Sequence, residues 1–100
     1  MAEKPIRLAK DAEDDLDRIW DYSAAHWGAA QAESYVRGLD RSIQTIASMP
    51  EIAREHVEFD PPVRIYPSAE HLIVYLVDVD PITIIRVLAS RTNWRFVLGG

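Results

Sequence analysis

The chain has 100 residues, of which 48% are hydrophobic and 27% charged, with a formal net charge of -5. This length predicts a single domain over residues 1–100, and no apolar run approaches the roughly 18 residues that a membrane span needs. The acidic balance favours a protein partner over nucleic acid. The chain has no cysteine and no signal-peptide pattern, so disulfide chemistry is excluded and we expect the cytoplasm.

The first half of the chain is predicted to form a short strand and two helices. Ile6–Leu8 alternates as a strand does, and helical spacing over Lys10–Trp27 and again from Ala29 predicts two amphipathic helices. Gly28 separates them, so we expect an antiparallel hairpin. The apolar positions of the first helix are Ala12, Leu16, Ile19, Trp20, Ser23 and Trp27, with both tryptophans expected in the core. The acids assigned to its outer face are Asp11, Glu13, Asp14, Asp15, Asp17 and Asp21.

The second half is predicted to form three antiparallel strands. Val63–Tyr66 reads as the first, and two apolar runs at 71–77 and 82–88, joined by an Asp/Pro turn, read as a buried hairpin. Residues 51–62 are predicted to be a loop. The fold class is therefore α+β: a two-layer sandwich with an N-terminal strand, an antiparallel helical hairpin and a three-stranded antiparallel meander (β-α-α-β-β-β). The hairpin covers one sheet face and leaves the other for function.

Two arginines interrupt the predicted strands. Arg86 shares a predicted face with Ile82, Ile84 and Leu88, and a buried arginine requires a partner. The sequence leaves two roles for Arg86 equally open. It could form an ion pair with Asp78 or Glu70, or it could be an exposed cation that binds a partner. Arg64 lies nearer a turn, where solvent should reach it, and either arginine can bind a carboxylate in bidentate fashion.

The C-terminal segment is basic and aromatic. Arg91, Trp94, Arg95 and Phe96 are residue types found at interface hot spots, although Trp94 and Phe96 could equally cap the edge of the core. The residues assigned to partner binding are Arg64, Arg86, Arg91, Trp94, Arg95 and Phe96. No catalytic residue is assigned.

No pattern in the sequence indicates a cofactor or a metal. His26, His56 and His71 lie in a helix end, a loop and a strand, without the spacing of zinc ligands. The serines have no nucleophile-elbow glycines, and four glycines do not supply a phosphate-binding loop. We expect neither cofactor nor metal.

Several segments, taken in order, resemble the RelE/ParE family of bacterial toxins, and the ParE branch more closely. The segments that carry the resemblance are residues 12–22, residues 27–35, Met49-Pro50, Val63-Arg64, residues 71–75 and residues 84–88. The resemblance covers nearly the whole chain. It implies a toxin that blocks DNA gyrase by protein-protein contact and is neutralised by a ParD-like antitoxin, without membrane or direct nucleic-acid contact.

Two alternatives stand beside that expectation. The RelE branch cleaves messenger RNA on the ribosome, but its strand arginine aligns with Leu72 here and its C-terminal tyrosine falls near Phe96, which cannot move a proton. Departures from the family pattern at Ala53, Val63 and Ala89 motivate the other, a non-toxic module that only binds its antitoxin.

Overall fold

Two long helices pack against one face of a five-stranded sheet. The computed structural model describes residues 4–77 and 80–99. Its elements are β1 (Ile6–Leu8), α1 (Lys10–Trp27), α2 (Ala29–Ser48), β2 (Glu55–His56), β3 (Val63–Ser68), β4 (His71–Leu76), β5 (Ile82–Ala89) and α3 (Trp94–Val97). The strand order is β1-β5-β4-β3-β2, with β1 parallel to β5 and all other pairs antiparallel.

This arrangement confirms the predicted α+β class, the helical hairpin and the three-stranded meander. Two short elements were not predicted from the sequence. β2 lies within residues 51–62, which were predicted to be a loop, and it pairs with the start of β3. α3 lies in the C-terminal segment. Within the described residues, no helix is both long and apolar enough to cross a membrane.

Gly28 makes the helical hairpin possible with one joining residue. Its φ of 91° lies in the left-handed region, which glycine adopts without steric cost. Its N–H donates to the Ala24 carbonyl and its own carbonyl accepts from Ala32, both at 3.0 Å. The same residue therefore closes α1 and opens α2, and the two helices turn back on each other.

A β-bulge in β5 reverses the alternation of its side chains. Val74 pairs with Arg86 and Tyr75 pairs with Ile84, so Ile85 is the extra residue. Before the bulge, Ile84 packs under the helices, and after it Leu88 packs on the opposite face. The prediction that Arg86 shares a face with Ile82, Ile84 and Leu88 is therefore wrong. Arg86 pairs with Val74 and lies with Leu88 on the face opposite Ile82 and Ile84, because strict alternation does not survive the bulge.

Each sheet face has its own apolar cluster. The larger one joins the helices to the sheet, and its buried members are Ala12, Ile19, Leu39, Ile43, Ile46, Ala53, Ile73, Tyr75, Ile82, Ile84 and Val87. On the opposite face Phe59, Val63, Val74 and Leu88 are buried, with Trp94 and Leu98 packed against them. The chain's own C-terminal segment thus covers part of the face that was expected to be open.

Candidate functional site

Asp15 is a buried acid that fastens α1 to the edge of β5. Only 5% exposed, it accepts hydrogen bonds from Arg86 Nε at 2.8 Å and Nη2 at 2.9 Å, from the Val87 N–H at 2.8 Å, and from Arg18 at 2.8 Å. β1 pairs with β5 only along residues 82–84, so beyond that point the strand edge has no neighbouring strand on this side. The Asp15 carboxylate takes the place of the missing strand there.

Hydrogen bonding outweighs desolvation at this acid. Burial raises the pKa of Asp15, but the bonds from Arg86, Val87 and Arg18 together hold that pKa below its ordinary value. The hydrogen bond to Asp15 raises the pKa of Arg86 in turn. The Asp15 carboxylate therefore stays charged inside the fold.

The partner of Arg86 was predicted wrongly. It is Asp15, which had been assigned to the solvent-facing side of α1, and not Glu70; Asp78, the other candidate, lies outside the described residues. The cause is visible in the spacing, since Asp15, Ile19 and the buried Ser23 fall four residues apart on one stripe. That Arg86 binds a partner protein stays a prediction. Its guanidinium already donates hydrogen bonds to Asp15 within the chain.

Arg64 and Tyr75 hold the loop that follows α2. Arg64 Nη1 donates to the Ala53 carbonyl at 2.6 Å, and the Tyr75 hydroxyl, fully buried, donates to the Pro50 carbonyl at 2.8 Å. Burial raises the pKa of Tyr75. The expectation that solvent surrounds Arg64 is wrong, because its Nε is buried and lacks a partner among the described residues.

Three of the predicted residues of the C-terminal segment form one surface with the loop before β3. We call it the C-terminal surface: Val57, Glu58, Trp94, Arg95 and Phe96. Arg95 lies 4.5 Å from the centre of the Trp94 ring and donates to Glu58 at 2.7 Å. Val57 is 73% exposed and Phe96 81% exposed. A cation over an indole beside two exposed apolar side chains is suited to contact with another protein.

The structure distinguishes the two roles considered for Trp94 and Phe96, which are binding a partner and capping the edge of the core. Trp94 is half-buried and packs edge-on against His56 and at a tilt against Phe59, so it caps the second apolar cluster. Phe96 has no such role and faces solvent. On the same surface, the pKa of Glu58 is lowered to about 2. The larger cause is a hydrogen bond from the backbone N–H of Glu58 itself, and the next is the hydrogen bond from Arg95.

A groove that the sequence patterns did not predict lies between the helical hairpin, the start of β4 and the end of β5. We call it the aromatic groove; it is lined by Arg18, Tyr22, Trp27, Tyr35, His71 and Arg91, among others, and has a volume of about 910 Å³. The Tyr35 hydroxyl is 2.7 Å from His71 Nδ1 and accepts from the Glu70 N–H at 3.0 Å. Burial raises the pKa of Tyr35 and lowers that of His71.

Trp20 and Trp27 were expected in the core, and this is wrong. Trp20 is 38% exposed and Trp27 is 63% exposed. The buried stripe of α1 is filled by small or polar side chains at 12, 15 and 23 and by Ile19, so the indoles are left at its margin and at its end. Tyr22 stacks on His26 and lies edge-on to Trp27, with ring centres 3.9 and 5.7 Å apart. Exposed aromatics in contact are the signal that could have revealed the groove.

Over residues 4–77 and 80–99, no group of three or more His, Cys, Asp or Glu side chains could hold a metal ion. The three histidines lie in different settings: His26 stacks on Tyr22, His56 contacts Trp94, and His71 bonds Tyr35.

This chain is similar to known toxins of one family. The sequence profile of the ParE toxin of type II toxin-antitoxin systems (parDE) matches residues 6–94. Toxin ParE1 of Caulobacter vibrioides is 40% identical over 96 residues, covering 96% of this chain and 99% of that protein. Toxin ParE1 of Mycobacterium tuberculosis is 35% identical over 87 residues, covering 86% of this chain and 89% of its own.

The fold has a solved counterpart. A chain of the chromosomal ParDE toxin-antitoxin system from P. aeruginosa superposes with a TM-score of 0.75 at 18% identity, covering 87% of this chain and 96% of that one. At 18% identity this structural similarity shows the fold alone. The family is shown by the sequence profile and by the two relatives. The chain therefore belongs to the ParE toxin family of type II toxin-antitoxin systems.

Proposed function

We propose that this toxin inhibits DNA gyrase by protein-protein contact and is neutralised by a ParD-like antitoxin. The observation that carries the proposal is the family match over residues 6–94, which spans both long helices and every strand. Relatives matched along almost their whole length carry the name Toxin ParE1. The proposed site of action is the cytoplasm, where gyrase and its DNA are found.

Action by binding fits the surface chemistry better than RNA cleavage. Cleavage of RNA requires cations at the phosphate and a group that moves a proton. Phe96 stands where the nuclease branch has a tyrosine, and a phenyl ring cannot transfer a proton. Two arginines that could face a phosphate, Arg64 and Arg86, instead donate to Ala53 and to Asp15.

We assign contact with the target to the C-terminal surface. Phe96 and Val57 offer exposed apolar area, and Arg95 offers a cation held in place by Trp94 and Glu58. An anchored arginine loses less side-chain entropy on binding than a free one. Arg91, which follows β5, lies on the other side of the sheet from this surface, in the aromatic groove.

Induction of the chain in growing bacteria tests the proposal. We expect growth arrest with signs of DNA damage, and recovery when a cognate ParD-like antitoxin is co-expressed. Arrest with cut messenger RNA would point to the nuclease instead, and normal growth would point to a module that only binds its antitoxin.

Two variants localise the activity. The double variant Arg95→Ala and Phe96→Ala should relieve the arrest while leaving the protein folded, because both side chains are exposed. The control is Arg37→Ala on α2, whose side chain is 70% exposed and pairs only with Glu33 among the described residues. If the double variant arrests growth as the control does, the C-terminal surface does not contact the target.

A further inference from the structure

The C-terminal surface holds an ion pair among exposed apolar side chains. Arg95 and Glu58 are 57% and 42% exposed, and their side chains meet at 2.7 Å. Beside them Val57 is 73% exposed and Phe96 is 81% exposed. The centre of a protein interface is usually rich in aromatic residues and arginine and poor in glutamate. A partner that covers Val57 and Phe96 therefore also has to cover a glutamate.

Three hydrogen bonds hold the Glu58 carboxylate in place. Its own backbone N–H donates to it, Arg95 Nη1 donates to its Oε2, and His56 Nδ1 lies 3.3 Å from the same oxygen. The first two bonds are the larger causes of a pKa of about 2, so the carboxylate is ionised at neutral pH. The His56 ring lies edge-on to Trp94. Glu58 therefore carries a full negative charge in a fixed position between β2 and α3.

The guanidinium of Arg95 is held on two sides and free elsewhere. The Trp94 ring covers one face, with its centre 4.5 Å from the guanidinium carbon, and Glu58 occupies one edge. Among the described residues the guanidinium has no other hydrogen-bond partner. Because a guanidinium has five N–H groups, those not bonded to Glu58 can donate to acceptors of a partner.

The ion pair makes the C-terminal surface neutral. Arg95 and Glu58 are its only charged side chains, and their charges cancel. Covering an unpaired charge with apolar groups is unfavourable, whereas a charge that stays paired and hydrogen-bonded costs less. Glu58 therefore allows an apolar partner to cover Arg95. An acidic patch or DNA phosphates would be attracted by Arg95 but repelled by Glu58 at the same place.

We infer that the patch of the target that meets the C-terminal surface is apolar and uncharged, with backbone carbonyl groups that accept from Arg95, and that Glu58 is the positioning residue that holds and neutralises Arg95. The inference rests on the proposed function for the identity of the target. It goes further in stating the chemistry of the target patch and in giving a role in binding to an acid that the sequence did not single out.

Plasmid supercoiling by purified gyrase, titrated with the full-length chain, tests this inference. Glu58→Gln keeps the shape of the side chain and removes its charge. It should raise the concentration for half-inhibition about tenfold, because Arg95 is then covered without its counter-ion. Glu58→Asp keeps a carboxylate and should recover most of this loss. Melting curves followed by circular dichroism should show that both variants are folded.

Two further variants show how Glu58 acts. The double variant of Glu58→Gln and Arg95→Ala should inhibit no more weakly than Arg95→Ala alone, because Glu58 acts through Arg95. The matched control is Glu33→Gln, which removes the charge of an exposed acid that pairs with Arg37 on α2. This control should inhibit as the unaltered chain does.

Each contrary result overturns a different statement. Stronger inhibition by Glu58→Gln would overturn the inference, because it would mean that acidic side chains or DNA phosphates face Arg95. Equal inhibition by Glu58→Gln and Glu33→Gln would also overturn it, as would losses that add in the double variant. Full inhibition by Arg95→Ala would overturn the assignment of the C-terminal surface to the target. Absence of inhibition by the unaltered chain would overturn the proposed function itself.

Discussion

The two faces of the sheet treat similar residues differently. On the helical side, the buried Asp15 of α1 accepts hydrogen bonds from Nε and Nη2 of Arg86 at the edge of β5. On the opposite face Arg95 lies over Trp94 on a four-residue helix, with a partner, Glu58, that is itself exposed. Arg86 therefore has a structural role, whereas Arg95 is available to contact another protein. The difference lies in the burial of the acid that each arginine binds, since Asp15 is buried and Glu58 is exposed.

The largest expected effect is on the helical face. Asp15→Ala should lower the free energy of unfolding by about 3 to 5 kcal/mol, because it leaves Arg86 and the Val87 N–H without their buried acceptor. Urea denaturation followed by circular dichroism measures this loss. The matched control is Asp14→Ala, which removes a neighbouring surface acid paired with Lys10 and should cost at most about 0.5 kcal/mol. Equal losses in the two variants would mean that the buried pair does not fasten α1.

A smaller loss is expected from Tyr75→Phe. The hydroxyl of Tyr75 is fully buried and donates to the Pro50 carbonyl, so its removal should cost about 1 to 2 kcal/mol. Tyr22→Phe removes the same atom from an exposed ring and should change stability by less than about 0.5 kcal/mol. The comparison again uses urea denaturation, and a Tyr75→Phe variant as stable as Tyr22→Phe would contradict the account of how the loop after α2 is held.

The dependence of stability on pH should separate the two faces further. Because the folded pKa of Asp15 is lowered, its contribution is complete above the ordinary value of 3.8 and is lost as the pH falls through the lower folded value. The stability difference between the unaltered chain and Asp15→Asn should therefore shrink below about pH 4. Denaturation curves between pH 7 and pH 3 measure it, and a difference that stays constant over this range would contradict the prediction.

Glu58 provides the comparison on the other face. Its pKa is also lowered, to about 2, but the side chain is exposed and salt screens its pair with Arg95. The stability difference between the unaltered chain and Glu58→Gln should therefore also shrink as the pH falls below the ordinary value of 4.5, but at 0.15 M salt it should be smaller than the difference for Asp15→Asn. A difference for Glu58→Gln as large as that for Asp15→Asn would contradict the prediction.

The smallest effect on stability belongs to Phe96. Phe96→Ala removes a ring that is 81% exposed and should change the free energy of unfolding by less than about 0.5 kcal/mol, whereas Trp94→Ala should cost about 1 to 2 kcal/mol because Trp94 packs on Phe59. Melting curves of the two variants test this. If both lose the same stability, Phe96 is part of the core and the C-terminal surface is not free to bind.

The sequence predicted the elements that periodicity specifies. The helical stripes, the joint at Gly28 and the apolar strands all follow from local spacing, and the α+β arrangement follows from their order. The β-bulge at Ile85 could not be read from the sequence, because it depends on pairing with β4. Its consequence was the wrong face for Arg86 and Leu88.

The site was harder to predict because its residues are brought together by tertiary packing. Asp15 and Arg86 are 71 positions apart, and nothing local distinguishes Asp15 from the acids around it except its spacing from Ile19 and Ser23. The aromatic groove combines the end of α1 with the ends of β4 and β5. The tryptophans of α1 were assigned to the core because apolar side chains usually are, while Ser23 took the buried position.

The most direct test of the account is plasmid supercoiling by purified gyrase with and without this protein. The account predicts inhibited supercoiling or accumulated linear DNA, reversed by the ParD-like antitoxin. Gyrase that works at its normal rate in the presence of a folded toxin that still arrests growth would contradict the account and direct the search for the target to the ribosome.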